Sequence, residues 1–391
     1  MNKFEFGART IILIAFIICN SINKIYAVVD STNIHIPSKI SFVGYVDAYY
    51  AYDLNQSSNI QRGILANRNT PFYSHTNQNQ ISINNALLGA RYTSDRLRAA
   101  VVLQTGTYVQ RNYAAEPDYA KYIYETYVGV RLAKNLWIDA GVFTSHIGLE
   151  SAVSMDNMVL TRSLCAENSP YYLSGAKITW ETNNKKWLFS GLILNGWQTI
   201  QAYQRPQKAF GSQIQFKPTD KILLNASTYF GPAPTASIDA NGDLNTAKGG
   251  DYLFRFFHNL YGTWQVSDRL SLAGSFDIGF QQISTSDKNM NPWYTPIVYG
   301  KYYITPKVAL SGRVEYYNDK YGIIIPTGTA NNFQASGFSL GIDYSPFDLV
   351  MLRLEGRTLH TTDAVFVNQS NGSLSNNCTW FTASIAAYLK K

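Results

Sequence analysis

The chain has 391 residues with 33 Lys or Arg against 26 Asp or Glu, a formal charge of +7; 15% are charged and 14% aromatic. Its 28 tyrosines and many β-branched residues exclude a disordered chain. Beyond the first two dozen residues no apolar run approaches the ~20 needed for a spanning helix, which excludes a polytopic helical membrane protein. An all-β chain remains, soluble or closed into a membrane barrel.

The N-terminus comes first. Lys3 and Arg9 precede an apolar stretch from Ile11 to Ile18, and Ala27 then supplies a small residue for cleavage. Residues 1–27 therefore read as a signal peptide, with export expected. The apolar core is short for a membrane anchor. Loss of Lys3, Arg9, Lys24 and Glu5 leaves a mature charge of +5, scattered without a Lys/Arg block, so no nucleic-acid partner is expected. Cys165 and Cys378 remain, too few for a disulfide framework. Pairing and free thiols both stay open.

Residues 28–39 read as a periplasmic N-terminal segment, and period-2 alternation governs everything from 40 to 391. Ile40, Phe42, Gly44, Val46 and Ala48 share one face of the first segment, with Ser41, Asp47 and Asp53 on the other. Sixteen strands are expected near 40–53, 80–92, 97–107, 122–132, 136–143, 172–180, 187–196, 208–217, 222–230, 252–266, 269–281, 294–304, 307–317, 334–345, 349–358 and 379–389. Segment 80–92 changes apolar phase between Ile83 and Leu88, as a bulge would make it do.

The connections decide the architecture. Seven short turns alternate with eight connections of 11 to 28 residues. That alternation describes an antiparallel up-and-down transmembrane β-barrel of about 16 strands with one tight and one elaborate rim. A sandwich has no reason to alternate this way. Aromatics near strand ends fit two headgroup girdles: Tyr50, Tyr52, Tyr92, Tyr122, Tyr124, Trp137, Trp180, Trp187, Tyr229, Trp264, Tyr294, Tyr302, Tyr303, Tyr344 and Trp380. The amphipathic strand Thr379–Leu389 closes on the first strand and would be handed to the barrel-assembly machinery, although the chain ends Leu389-Lys390-Lys391 rather than on an aromatic.

Several stretches resemble a known family. They include Gly44-Tyr45-Val46-Asp47-Ala48-Tyr49-Tyr50, Leu103-Gln104-Thr105-Gly106-Thr107-Tyr108-Val109-Gln110 and Asn112-Tyr113-Ala114-Ala115-Glu116-Pro117. Asp139-Ala140-Gly141-Val142-Phe143, Ala166-Glu167-Asn168-Ser169-Pro170-Tyr171-Tyr172 and Leu194-Asn195-Gly196-Trp197-Gln198 extend the likeness. Together they resemble the putative β-barrel porin-2, OmpL-like family, common in Bacteroidota. The resemblance implies an outer-membrane porin and names no substrate or site residue.

Charges in lipid are costly, so alternation sends them into the lumen. The basic pore-lining candidates are Arg98, Arg131, Lys177, Lys217, Arg255, Lys301, Arg313, Arg353 and Arg357. The acidic ones are Asp47, Glu125, Asp139, Asp277, Glu315, Asp343 and Glu355. Nine against seven gives at most a weak anion preference. Arg313 with Glu315, and Arg353 with Glu355 and Arg357, alternate on one face; wall-holding ion pairs and a role in selectivity are both open readings. The connection 144–171 is the expected constriction, since Met155, Met158, Val159, Leu160 and Leu164 would otherwise be exposed. Its polar candidates are Asp156, Asn157, Arg162 and Glu167.

The expected function is therefore passive diffusion of small hydrophilic solutes through an outer-membrane channel, with lipid around it, no cofactor and a homotrimer possible. The alternatives are a closed surface or adhesion barrel and, more remotely, a lipid-acting barrel enzyme. Ser145 beside His146 is the only nucleophile–base candidate for the latter, and adjacency in the chain makes no triad. Asp239-Ala240-Asn241-Gly242-Asp243 lacks the glycine and glutamate of a calcium loop.

Overall fold

A computed structural model describes residues 39–55, 71–202, 208–234, 236–238, 244–246, 252–284, 289–368 and 371–390. The signal peptide, residues 28–38 of the N-terminal segment and the Asp239–Asp243 turn lie outside the described residues. The barrel strands are β1 (Lys39–Asp53), β2 (Ile81–Thr93), β3 (Leu97–Thr105), β4 (Ile123–Ala133), β5 (Leu136–Thr144), β6 (Tyr172–Glu181), β7 (Trp187–Leu194) and β8 (Ala209–Thr219). They continue as β9 (Ile222–Pro234), β10 (Tyr252–Gln265), β11 (Leu270–Gln281), β12 (Asn291–Thr305), β13 (Val308–Asp319), β14 (Phe333–Phe347), β15 (Val350–Thr361) and β16 (Asn377–Lys390). Every neighbouring pair is antiparallel, and β16 returns to β1 with Asp47 opposite Ala386, so the sheet closes and keeps no edge.

All sixteen expected strands are present, their ends moved by at most four residues. Side-chain alternation sets the two faces. Val298, Val314, Leu340 and Leu354 point outward and are at least half exposed, whereas Asp47, Asp277, Arg313 and Glu355 point inward and are almost fully buried. The phase change in β2 is a bulge. Asp47 pairs with Asn85 and Ala48 with Ile83, so Asn84 is the extra residue and both asparagines turn inward.

The aromatic girdle needs correction. Tyr50, Tyr52, Tyr122, Trp180, Trp187, Trp264, Tyr302 and Tyr344 are exposed on the outside as expected. Tyr124, Tyr229 and Trp380 are instead buried, Trp137 lies against the Arg98 guanidinium, and Tyr303 lies against Lys301. Position near a strand end cannot distinguish the two faces. The alternation phase can for Tyr229, Trp380, Trp137 and Tyr303, which share it with the lumen charges; Tyr124 adjoins inward Glu125 and turns in as the extra residue of a bulge, where Val102 faces Glu125 and Leu103 faces Ile123.

The lumen is also less uniformly polar than alternation implies. Toward the long-loop rim the inward residues Leu194, Tyr229, Phe257, Trp293, Tyr317, Phe333, Leu359 and Trp380 are apolar and buried. Phe72, Ile147, Leu164, Ile323 and Phe366, all from the connections, pack among them. Loops therefore fold inward and form a hydrophobic core inside the barrel, where burial of each large side chain contributes roughly 1.5–3 kcal/mol.

Candidate functional site

Residues 145–171 leave the top of β5 and return to β6, whose ends pair as Thr144 opposite Tyr172. In between, the chain lies against the inside of the wall. Main-chain groups with few partners of their own take them from inward side chains. The Arg353 guanidinium donates to Ser154 O at 2.6 Å and Met158 O at 3.1 Å. Arg313 Nη1 donates to Thr161 O at 2.5 Å, and Arg357 Nη1 donates to Arg162 O at 2.8 Å. In the opposite sense, Thr161 N donates to Glu355 Oε2 at 2.6 Å and Leu164 N to Glu315 Oε2 at 2.7 Å.

The charges that hold the segment also neutralise one another. Arg313 Nε lies 3.1 Å and Arg357 Nη2 2.5 Å from Glu315 Oε1, while Arg313 Nη2 lies 3.6 Å from Glu355 Oε1. Asp343 sits between Lys301 at 2.6 Å and Arg353 at 2.7 Å. Glu150, carried by the segment, is 3.8 Å from Arg313 and accepts from Tyr299 Oη at 2.9 Å. Burial raises the Glu150 carboxyl above its ordinary value, with Arg313 opposing that shift. Four cations, Lys301, Arg313, Arg353 and Arg357, thus meet four acids, Glu150, Glu315, Asp343 and Glu355. Of the two open readings for the strand charges, the geometry carries the ion-pair one, since Arg313, Glu315, Arg353, Glu355 and Arg357 are at most 3% exposed.

The four polar candidates of the segment do different things. Asp156 accepts from Tyr388 Oη at 2.6 Å and ties the segment to β16. Asn157 folds back on Ser151, accepting from its N–H at 2.7 Å and donating to its carbonyl at 2.9 Å. Arg162 is fully buried, its guanidinium over the Tyr108 and Tyr171 rings at 4.2 and 4.7 Å, so it faces no water. Glu167 accepts from Tyr73 N at 2.9 Å and from the Ser74 hydroxyl, binding the 71–75 connection to the segment.

A second group of charges lines the opposite sector. A cavity of about 130 Å³ is bounded by Arg98, Glu125, Tyr127, Asp139, Phe143, Thr144 and Lys177, on β3 to β6. Arg98 grips Asp139 with both oxygens engaged, Nε at 2.6 Å and Nη2 at 2.5 Å. Gly129 makes room for this bridge, because a Cβ there would fall 2.1 Å from Asp139 Oδ1. Arg91 pairs with Glu125. A further cavity of about 180 Å³ opens among the connections at the long-loop rim, with Arg111, Glu167, Tyr172, Trp197 and Arg255 in its lining.

A closed sixteen-stranded barrel with charged residues inside and apolar ones outside has the build of a porin, and the sequence comparison agrees. The model of the family described as "Putative beta-barrel porin-2, OmpL-like" matches residues 39–389. The chain belongs to this porin family. A search of the curated proteins returns no match. Among solved structures, the outer-membrane channel DcaP of Acinetobacter baumannii superposes with a TM-score of 0.59 at 11% identity, covering 92% of this chain and 99% of that one. OmpT of Vibrio cholerae, solved in a trimer form, gives 0.56 at 12% identity over 90% and 99%. The anion-selective porin from Comamonas acidovorans gives 0.56 at 11% over 90% and 100%. At such identities the likeness is one of fold, and with the family it indicates the bacterial outer membrane.

The remaining lumen candidates of this OmpL-like barrel are placed as follows. Arg255 stacks over Trp197 at 4.4 Å and Trp293 at 5.1 Å and donates to Gln281 Oε1 at 2.6 Å. Arg131 sits at the short-turn rim, 3.5 Å from Asp95 and partly exposed, so it lines the rim rather than the interior. Asp277 accepts from the Cys165 thiol at 2.8 Å and from Asn259 Nδ2 at 2.5 Å. Asp47 accepts from Asn84, from the Ser384 hydroxyl at 2.7 Å and from His75 Nε2 at 2.9 Å. His75 lies in the connection between the first two expected strands, and nothing local to residue 75 reports that this loop folds against β1. Arg91, absent from the inward set that strict alternation gives, takes its inward phase only after the bulge at Asn84.

Among the described residues, neither His146 nor His75 assembles hydrolase geometry. His146 Nε2 donates to Thr228 O at 2.8 Å, while Ser145 Oγ accepts from Ile147 N at 3.0 Å, so the adjacent pair do not meet. At Asp47 the serine and the histidine both contact the carboxylate, instead of forming the serine–histidine–acid chain a nucleophile requires. Cys165 and Cys378 are both buried and neither is in a disulfide, which closes the pairing option. Burial, followed by the nearby Asp277 charge, pushes the Cys165 thiol well above its ordinary value and depletes the reactive thiolate. Maleimide should therefore leave Cys165 unmodified in the folded barrel at pH 8 and label it after unfolding; mass spectrometry of the tryptic peptide reads the difference, and rapid labelling of the native barrel would mean the segment leaves the wall.

Proposed function

We propose that this family member is a diffusion porin of the bacterial outer membrane, passing small hydrophilic solutes through the part of the lumen the 145–171 segment leaves unoccupied. The observation that carries the reading is the polar cavity along β3 to β6, beside a segment whose hydrogen bonds go to the rest of the wall. Sixteen strands enclose enough width for water even with one connection folded in. Selection is by size and by a weak preference for anions. The proposal extends to a signal peptide cleaved after Ala27, residues 28–39 on the periplasmic side, delivery by the barrel-assembly machinery and assembly as a homotrimer. A Bacteroidota source rests on the resemblance of the quoted motifs alone.

A second reading has its own observation. The apolar cluster at the long-loop rim, with Ile323 and Phe366 folded inward, is what a closed surface barrel would need. Planar-bilayer recording of the refolded chain separates the two. Stepwise conductance supports the porin. A barrel that migrates as folded on an unheated gel, and stays silent in the bilayer, supports the closed reading.

A further inference from the structure

We propose that Lys177 is the anion site of this barrel and sets its charge selectivity, so that the passage runs off-axis along β3 to β6; this rests on the porin reading. The inserted segment fixes where the passage lies. Its hydrogen bonds run to Gln213 on β8, Ser227 on β9, Asn259 on β10 and Asp277 on β11. They continue to Tyr299, Arg313, Glu315 and the β15 charges, and end on Tyr388 of β16 and Tyr45 of β1. Among the described residues, none runs from 146–168 to an inward side chain of β2 to β7.

In that sector the charges do not cancel. Asp139 is consumed by Arg98 and Glu125 by Arg91. Lys177 stands directly opposite Asp139 in the β5–β6 register, but both oxygens of that carboxylate are already engaged. Its ammonium rests 4.6 Å over the Phe143 ring, and among the described residues it has no hydrogen bond and no ion pair. Three cations therefore face two acids, and the cation left over borders the cavity. The segment's own ring next to it adds no charge, because burial pushes His146 down to about 4 and leaves it neutral. Gly211 permits that ring to sit against the wall, since a Cβ there would lie 2.8 Å from Nε2.

A partly desolvated ammonium with three donor hydrogens and no protein acceptor recruits a small anion. Tyr127 and Thr144 line the same cavity. The ligand class is a small monovalent anion, for which chloride is the probe. By contrast, the four-against-four cluster at Arg313 and Asp343 is neutral and sealed under the segment, so the full nine-against-seven inventory overstates what a passing ion meets.

The test is the reversal potential of single channels across a KCl gradient. The native chain is expected to favour chloride, Lys177→Gln to lose that preference, and Lys177→Glu to lower the chloride-to-potassium ratio about fivefold. Lys177→Arg keeps the preference. Lys134→Gln, which removes the same charge from an exposed turn, leaves the ratio unchanged. Lys177→Met serves where the glutamine variant does not refold, as judged by migration on an unheated gel. Conducting variants with an unaltered ratio would overturn the role of Lys177 and leave the porin standing. A native barrel that is folded and silent would overturn both.

Discussion

Replacing residues 149–168 by a short glycine–serine bridge should raise single-channel conductance about threefold or more, toward that of an open sixteen-stranded barrel. The bridge is geometrically possible because β5 and β6 end as a pair, Thr144 opposite Tyr172, and need no long connection. Excision uncovers the Arg313–Glu315–Arg353–Glu355–Arg357 cluster to water, which solvates it, so folding should survive with reduced stability. The reduction also includes the burial lost from Val159, Leu160 and Leu164, each at most 1% exposed in the intact chain. Planar-bilayer recording, with gel migration as the folding control, reads both effects. An unchanged conductance in a folded barrel would mean the segment does not narrow the path.

Glu315→Ala is the point substitution with the largest expected cost, about 3–5 kcal/mol of barrel stability. One oxygen of Glu315 serves both Arg313 and Arg357, and the other accepts the Leu164 N–H. Truncation leaves two buried guanidiniums sharing Glu355 and Glu150, and orphans a buried amide where the segment turns into its short helix Leu164–Glu167. Urea unfolding in lipid vesicles measures the loss. The same variant should show a noisier open channel, because the segment loses one of its anchors without losing its length. A change below about 1 kcal/mol would mean that Glu355 takes over both guanidiniums, and would remove Glu315 from the clamp.

The architecture was legible in the sequence because a barrel writes itself locally. Period-2 alternation and the short–long rhythm of connections depend on neighbours in the chain, and both survive to the closed barrel. Inward folding of 144–171 was legible for the same reason: Met155, Met158, Val159, Leu160 and Leu164 need cover wherever the loop goes. The identity of the partners was not. Glu315 and Leu164, or Asp47 and His75, meet only after strands distant in sequence are brought round the cylinder. Likewise, counting inward charges treats Arg357 and Lys177 alike, though one is triply engaged and the other has no acceptor among the described residues. The bulge at Asn84 hid Arg91 by reversing the phase on which the count relied.

The uneven attachment of the segment also has a mechanical meaning. A water-filled cylinder in a bilayer is squeezed sideways and resists ovalisation only through the stiffness of its sheet. Here one arc of the wall, from β8 round to β1, is braced from within by a strut bonded to it at nearly every strand. Among the described residues the arc from β2 to β7 takes no hydrogen bond from the segment; there Ala152, Val153 and Ala166 share an apolar cluster with Leu87, Val102, Tyr124 and the Tyr108 and Tyr113 rings of the β3–β4 connection. On the proposed porin reading, lateral compression of the membrane falls more on the arc held by apolar packing than on the arc held by hydrogen bonds and ion pairs.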